Sequence, residues 1–162
     1  MSKIDSTRLK ELLQYNPSTG NFTWIANMGK RVKAGQVAGC IHHMGYVVIY
    51  KDKKSYLAHR LAWLYVYGEY PTNNIDHING IRSDNRIENL RDATQAENCQ
   101  NIHKVRCSSG LMGAYFDKTR SRWYSAIKLN GKSKLLGHFK TAKDAHQVYI
   151  SAKRLMHPFG NL

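Results

Sequence analysis

The segment IDHINGIRSDNRIENLRDATQAENCQN, from Ile75 to Asn101, is the stretch on which the fold of this chain turns. Ile75 to Ile78 is a short run with strand character. Asn79-Gly80 is a turn signal, and Ile87 to Arg91 forms a second short strand. Thr94 then offers a helix N-cap, and Glu97 three residues on completes a capping box, which predicts a helix from Gln95 to about Ile102. The predicted order is strand, loop, strand, helix, with Asp76 and His77 on the first strand, Asn89 on the second and Asn98 just inside the helix. Taken singly, these residues have ordinary readings: a surface Asp-His dipeptide, asparagines in turns, a solvated helix position. Their joint spacing asks for more. Asn89 follows Asp76 by thirteen residues, and Asn98 follows Asn89 by nine.

These residues resemble the HNH, or ββα-metal, nuclease motif, closest to the H-N-N variant of phage homing endonucleases. The resemblance covers the Asp-His pair, the two spaced asparagines, the flanking NRIENLR and the Thr-x-x-Glu-Asn helix start. It implies a phosphodiester hydrolase. Such a reaction needs a base to activate water and a cation to stabilise charge on the phosphorane-like centre and the leaving oxygen. His77, with an ordinary pKa near 6.5, suits the base role. Asp76 and Asn98 offer oxygen atoms to one hard cation. The resemblance makes Asp76 and Asn98 the metal ligands and His77 the general base. Asn89 becomes the residue that holds the loop so that His77 is aimed. Asn85 competes with Asn89 for that last role, and the family spacing favours Asn89. Asn101 and His103 are weaker substitutes for the second ligand. Many family members carry His where Asn98 stands; an amide oxygen is the harder donor, which favours Mg²⁺ or Mn²⁺ over Zn²⁺.

The chain has 162 residues, with 25 Lys and Arg against 11 Asp and Glu, for a net charge of +14. That balance suits a polyanion partner. The charge is uneven: residues 1–103 carry 13 basic and 9 acidic residues, a net of +4, and residues 104–162 carry 12 and 2, a net of +10. Cys40, Cys99 and Cys107 form no C-x-x-C pair, which argues against structural zinc and suits a reducing compartment. No apolar run is long enough to span a membrane, and the Met-Ser-Lys-Ile start is not that of a signal peptide. A cytoplasmic location, in whatever cell hosts the protein, is the expectation.

Along the first 103 residues, Ser6 or Thr7 can cap a helix with Leu9, Leu12 and Leu13 on one face. Asn16 to Gly20 is a turn. Strand signals at Asn21–Ile25, Gln36–Cys40, Tyr46–Lys51 and Ser55–Ala58 are those of an antiparallel meander. Lys30, Arg31 and Lys33 lie between the first two, either on phosphate or in a solvated loop. HRLAWLYVYGEYP then predicts an apolar helix begun by His59 and Arg60, ended by Gly68 and stopped by Pro71. Arg60 can reach a scissile phosphate or form a structural salt bridge.

Residues 104–110 are expected to be a linker, and 111–162 a small domain. Three strands are predicted there, at Gly113–Phe116, Arg122–Leu129 and Ser133–Phe139. Asn130-Gly131 signals a type I′ hairpin, and Thr141 caps a helix with Ala145, Val148, Tyr149, Ala152 and Met156 on one face. The Gly before the first strand, Trp123-x-x-x-Ile127, Leu136-Gly137-x-Phe139 and the Thr-Ala-x-x-Ala helix start resemble the ethylene-response-factor type of DNA-binding domain. That family lays its sheet, not its helix, in the major groove. The resemblance puts Arg122, Tyr124, Ala126 and Lys128 on the DNA face, extended by Tyr115, Arg120, Ser133 and Lys134. Leu135 stands where that family usually has Trp, and several base-reading Arg positions are not Arg, so sequence preference does not carry over.

The chain is thus expected to be an α+β protein. An N-terminal antiparallel sheet with helices leads into the ββα-metal motif at residues 75–102 of a 1–103 nuclease domain, and a three-stranded sheet with one helix follows. The expected function is metal-dependent endonuclease on double-stranded DNA, of homing or mobile-element type in a phage or prophage, with no small-molecule cofactor. The alternative is a non-catalytic DNA-binding protein.

Overall fold

The computed structural model describes residues 4–101, 105, 109–129, 131–157 and 159–160. The chain forms two compact units, Met1–Thr94 and Gln95–Leu162. This division precedes residues 104–110; of those, 104 and 106–108, Cys107 included, lie outside the described residues, as do Ile102 and His103.

In the first unit, helix α1 (Ser6–Leu12) is capped by Asp5, whose carboxylate accepts from the Arg8 amide at 2.8 Å. The expected caps, Ser6 and Thr7, lie inside the helix. Leu13 leaves it to begin strand β1 (Leu13–Asn16), which the sequence reading had merged with the helix because Leu9, Leu12 and Leu13 are all buried. The Asn16 side chain accepts from the Ser18 and Thr19 amides and turns the chain into β2 (Asn21–Trp24). Strand β3 (Val37–Ala38) completes a sheet ordered β1-β2-β3. Strands β4 (Cys40–Ile41), β5 (Val47–Lys51) and β6 (Lys54–Leu57) form a second three-stranded sheet, so the expected single meander is two sheets. Asp52 and Lys53 link β5 to β6 with positive φ at both residues, the requirement of a type I′ loop.

Helix α2 (Ala58–Tyr67) starts one residue before His59 and ends on Gly68 in the left-handed conformation. Its Leu61 and Leu64 join Leu9, Leu12, Phe22, Trp24, Ile49, Ile75 and Leu90 in one core. This core anchors β7 (Asn74–His77) against β8 (Leu90–Ala93), with Asp76 opposite Arg91 and His77 opposite Leu90. The second strand begins later than the sequence suggests. Residues Ile87–Asn89 form a 3-10 turn, so Asn89 precedes the ladder.

In the second unit, helix α3 spans only Gln95–Asn98 and passes into a 3-10 turn at Cys99–Asn101, shorter than the expected helix to Ile102. Strands β9 (Ala114–Asp117), β10 (Arg122–Leu129) and β11 (Lys132–Phe139) form a sheet ordered β11-β10-β9. Helix α4 (Ala142–Met156) is capped by Thr141, which accepts from the Asp144 amide at 3.1 Å. Ser125 and Ile127 of β10 are buried, as are Ala145 and Ala152 of α4. Asn130 of the expected Asn-Gly hairpin lies outside the described residues. The whole is of the α+β class, with small antiparallel sheets and helices. Among the described residues no helix is long and apolar enough to cross a membrane.

Candidate active site

Strand β7 delivers Asp76 and His77 side by side at its C-terminal end, both buried. A loop leaves directly after them, and its own side chains hold it. Gly80 donates its amide to the His77 carbonyl at 2.8 Å, and Ile81 donates to the Asn79 side chain at 2.9 Å. Asn79 donates to Asp84 at 2.7 Å; Arg86 meets both oxygens of Asp84, through Nε at 2.9 Å and a terminal nitrogen at 2.8 Å. These hydrogen bonds, the Arg86 one foremost, hold the Asp84 carboxyl down at about 2, so it stays ionised as the loop's internal anchor.

Asn89 braces this loop from below. Its Oδ1 accepts from the Asn79 amide at 2.9 Å, and its Nδ2 donates to the Asp84 carbonyl at 2.8 Å. Asn85 is the asparagine that meets the imidazole, with its Oδ1 3.3 Å from His77 Nε2. The Asn85 amide donates through Nδ2 to the Ser83 carbonyl at 3.3 Å, which leaves Oδ1 facing the ring. A carbonyl oxygen accepts only, so this contact is a hydrogen bond in the tautomer that carries its proton on Nε2. Asn85 is in turn held from the N-terminal hairpin. The Tyr15 hydroxyl donates to its carbonyl at 2.7 Å, and burial pushes that phenol up to about 12, so it remains a donor. Gly20, at φ +74°, lies against the Asn85-Arg86 backbone, where any Cβ would overlap main-chain atoms.

Asp76 accepts on one oxygen, Oδ2, from Arg91 Nε at 2.9 Å and from a terminal nitrogen at 2.6 Å, an ion pair across the β7-β8 ladder. His77 is backed by two rings. His59 of α2 lies edge-to-face against it with centroids 5.1 Å apart, and Tyr46 stands 5.2 Å from His59 and 6.0 Å from His77. Arg82 caps this group, its guanidinium 5.0 Å over the Tyr46 ring and bonded to the Met44 carbonyl at 2.9 Å. Burial lowers the pKa of His77, against the opposing pull of Asn85 and Asp76. Burial also holds His59 down at about 3, helped by the nearby His77 and Arg60. Both imidazoles are neutral at neutral pH. His59 Nδ1 is buried, and among the described residues it has no hydrogen-bond partner.

The sequence singled out neither His59 nor Tyr46 for the site. Their approach to His77 depends on how α2 packs against the turn that leads into β5, and no spacing in the chain signals it. Arg60 stands over the Tyr70 ring at 5.9 Å, and among the described residues it makes no ion pair. Lys30, Arg31 and Lys33 are exposed. Asn98 belongs to the second unit, half-buried at the end of α3. Among the described residues no three His, Cys, Asp or Glu side chains gather as a metal cage. Asp76 of the first unit and Asn98 of the second each carry a hard oxygen donor of the kind that Mg²⁺ or Mn²⁺ takes.

The other expected contact residues lie on the second unit's sheet. Tyr115, Arg122, Lys128, Ser133 and Lys134 are exposed, and Tyr124 is half-buried. Arg120 sits in the β9-β10 turn, paired with Asp117 at 3.2 Å. The register sets Ser133 opposite Lys128 on the outward face, but Lys134 opposite the buried Ile127, on the other face.

Residues 56–100 match the family model described as HNH endonuclease, a span that contains Asp76, His77, Asn89 and Asn98. No curated protein matches the chain. A solved structure described as DNA binding and cleavage by the HNH homing endonuclease I-HmuI is similar at 21% identity with a TM-score of 0.46, over 91% of this chain and 82% of that one. The family model thus covers rather less than a third of the chain, and over that span the chain is similar to HNH endonucleases.

Proposed function

We propose that the chain is a divalent-cation-dependent endonuclease that hydrolyses phosphodiester bonds in double-stranded DNA, with His77 as its general base. The observation that carries the reading is the setting of His77, a buried, neutral imidazole next to a buried carboxylate, inside the HNH segment. A buried imidazole whose pKa is lowered is unprotonated at neutral pH and can take a proton from water. Asn85 orients the ring through its contact with Nε2. Asn89 fixes the loop that carries Asn85, and Arg91 fixes the Asp76 carboxylate. A divalent cation, Mg²⁺ or Mn²⁺, would be held by Asp76 and Asn98, and when bound it supplies charge stabilisation at the phosphoryl oxygens and the leaving group. The second unit, with a net charge of +10 over residues 104–162, supplies most of the grip on phosphate through its outward sheet face. A homing or mobile-element role in a phage or prophage is part of the same reading, by the resemblance of the motif.

The test is conversion of supercoiled plasmid to nicked or linear DNA by the full chain in Mg²⁺. His77→Ala should lose about 10²- to 10⁴-fold in single-turnover rate. Its affinity for DNA, measured without divalent ions, should stay near that of the parent. A variant that cuts as fast as the parent removes His77 from the base role. A parent protein that binds DNA and never cuts it in Mg²⁺ or Mn²⁺ leaves the non-catalytic binding protein standing.

A further inference from the structure

The outward face of the second unit's sheet is apolar along its middle. With Ser125 and Ile127 buried, the alternation of β10 sends Tyr124, Ala126 and Lys128 to the opposite side. Tyr124 lies between Tyr115 of β9 and His138 of β11, and Ala126 lies opposite Leu135. Leu135 is 55% exposed and Tyr115 is 40% exposed. A shallow depression of 440 Å³ runs beside Tyr124, Leu135 and His138, with Lys118, Arg120 and the Asp117 carboxylate that pairs with Arg120 on its border. The surface therefore has an apolar centre and a rim in which the cations outnumber the one anion.

The ring geometry decides what such a face can contact. The Tyr115 and Tyr124 rings are stacked on each other, with centroids 5.4 Å apart and planes at 28°. His138 is tilted by 51° on the other side of Tyr124, at 6.3 Å. A platform for unpaired bases needs ring faces open to the incoming base. Here one face of each tyrosine ring is closed by the other ring. A partly covered tyrosine pair with a methyl and an isobutyl group beside it suits the floor of a duplex groove. In the major groove the apolar feature that tells one base pair from another is the C5-methyl of thymine.

We infer that this face reads thymine C5-methyl groups in the major groove through Leu135 and Ala126, flanked by Tyr124 and Tyr115. The inference rests on the DNA-gripping role proposed above for the same sheet, and it names the chemical feature that the sheet prefers.

The full-length chain, in EDTA so that nothing is cut, is used to select duplexes from a randomised pool. The enriched duplexes are then rebuilt with deoxyuridine in place of thymidine, which removes the methyl and keeps the base pair. The selected sites should contain thymine, and each contacted methyl lost should weaken binding on the order of fourfold. Leu135→Ser, at an exposed position, should bind the thymidine duplex more weakly and lose most of the preference between the two duplexes. Equal affinity of the parent for both duplexes overturns the inference, as does a Leu135→Ser chain that keeps the parent's preference. Lys128→Ala and Arg122→Ala test the underlying grip, and should weaken both duplexes alike. If they change neither, or if the full chain prefers single strands to any duplex, the sheet is not a duplex-gripping face and the inference falls with it.

Discussion

Between about pH 7 and about pH 5 an exposed histidine gains its proton at little cost to a fold, but His59 is not exposed. Its side chain is buried, its Nδ1 lacks a partner among the described residues, and its pKa is held at about 3 against an ordinary value of 6.5. Among the described residues the groups that act on it are His77, Tyr46 and the charge of Arg60, none of them an anion that could favour the imidazolium. The folded pKa lies below the unfolded one, so the unfolded chain binds the proton first. The stability that His59 contributes is therefore intact above about pH 6.5 and is lost as pH falls toward 3. At pH 7 the unfolded imidazole is about one quarter protonated, and at pH 5 nearly fully, while the folded one stays neutral. With about 1.4 kcal/mol per proton per pH unit, the first unit should lose about 2 kcal/mol over this interval through His59. That is a measurable share of the ~5–15 kcal/mol that holds a typical domain together. His77, lowered by burial as well, acts in the same direction.

The assay is urea unfolding of the full chain at pH 7, 6 and 5, followed by tryptophan fluorescence, for the parent and for His59→Phe. Phenylalanine keeps an aromatic ring against His77 and Tyr46 and cannot titrate. The variant should lose about 2 kcal/mol less than the parent on going from pH 7 to pH 5. Equal losses would refute the argument, since the acid-labile group would then lie elsewhere.

Asn85 and Asn89 should separate in behaviour. Asn85→Ala removes the contact on His77 Nε2 and should lower the single-turnover rate by about 10- to 100-fold, the scale of a misplaced catalytic group. Asn89→Ala removes two loop hydrogen bonds and should also cost about 1–3 kcal/mol in urea unfolding. In a salt titration of duplex binding, Lys128→Ala should reduce the log-log slope by about 0.9 without altering single-turnover cleavage at saturation. Gly113→Ala should unfold the second unit, since Gly113 sits at φ +74° and a Cβ there would overlap the Tyr149 side chain. Circular dichroism of the variant reports the loss, and a stable variant would mean that Tyr149 can swing clear.

The sequence announced strand, loop, strand and helix around Asp76 because each has a local signal: alternation, Asn-Gly, a capping box. It misplaced β1 because Leu13 continues the apolar phase of α1 with no breaker between them, so helix and strand share one run of leucines. It put Asn89 on a strand because Ile87 and Leu90 read as strand residues, whereas the chain spends Ile87–Asn89 in a 3-10 turn. That turn changes which asparagine faces the imidazole. Spacing had favoured Asn89 for the task of aiming His77, and the geometry gives Asn89 the loop and Asn85 the ring. No rule of spacing separates two asparagines four residues apart in an irregular loop, because the answer rests on Tyr15 and Gly20, some seventy residues earlier, which hold the backbone of Asn85.

The second unit shows where a pattern stops and packing begins. Period-2 alternation was enough to sort Tyr124, Ala126 and Lys128 from Ser125 and Ile127, since a buried face must be apolar or small whatever its neighbours. Alternation says nothing about side-chain torsions. Two tyrosines facing one way on adjacent strands can lie apart or stack on each other. The second arrangement is the one present, and it covers ring surface that would otherwise meet water. The stack is decided by the register that sets Tyr115 directly opposite Tyr124. A slip of one residue in that pairing would bring Ala114 or Phe116 opposite Tyr124 and break the tyrosine stack. How much ring surface this face exposes thus rests on strand register, which the Tyr115 and Tyr124 positions in the sequence do not by themselves specify.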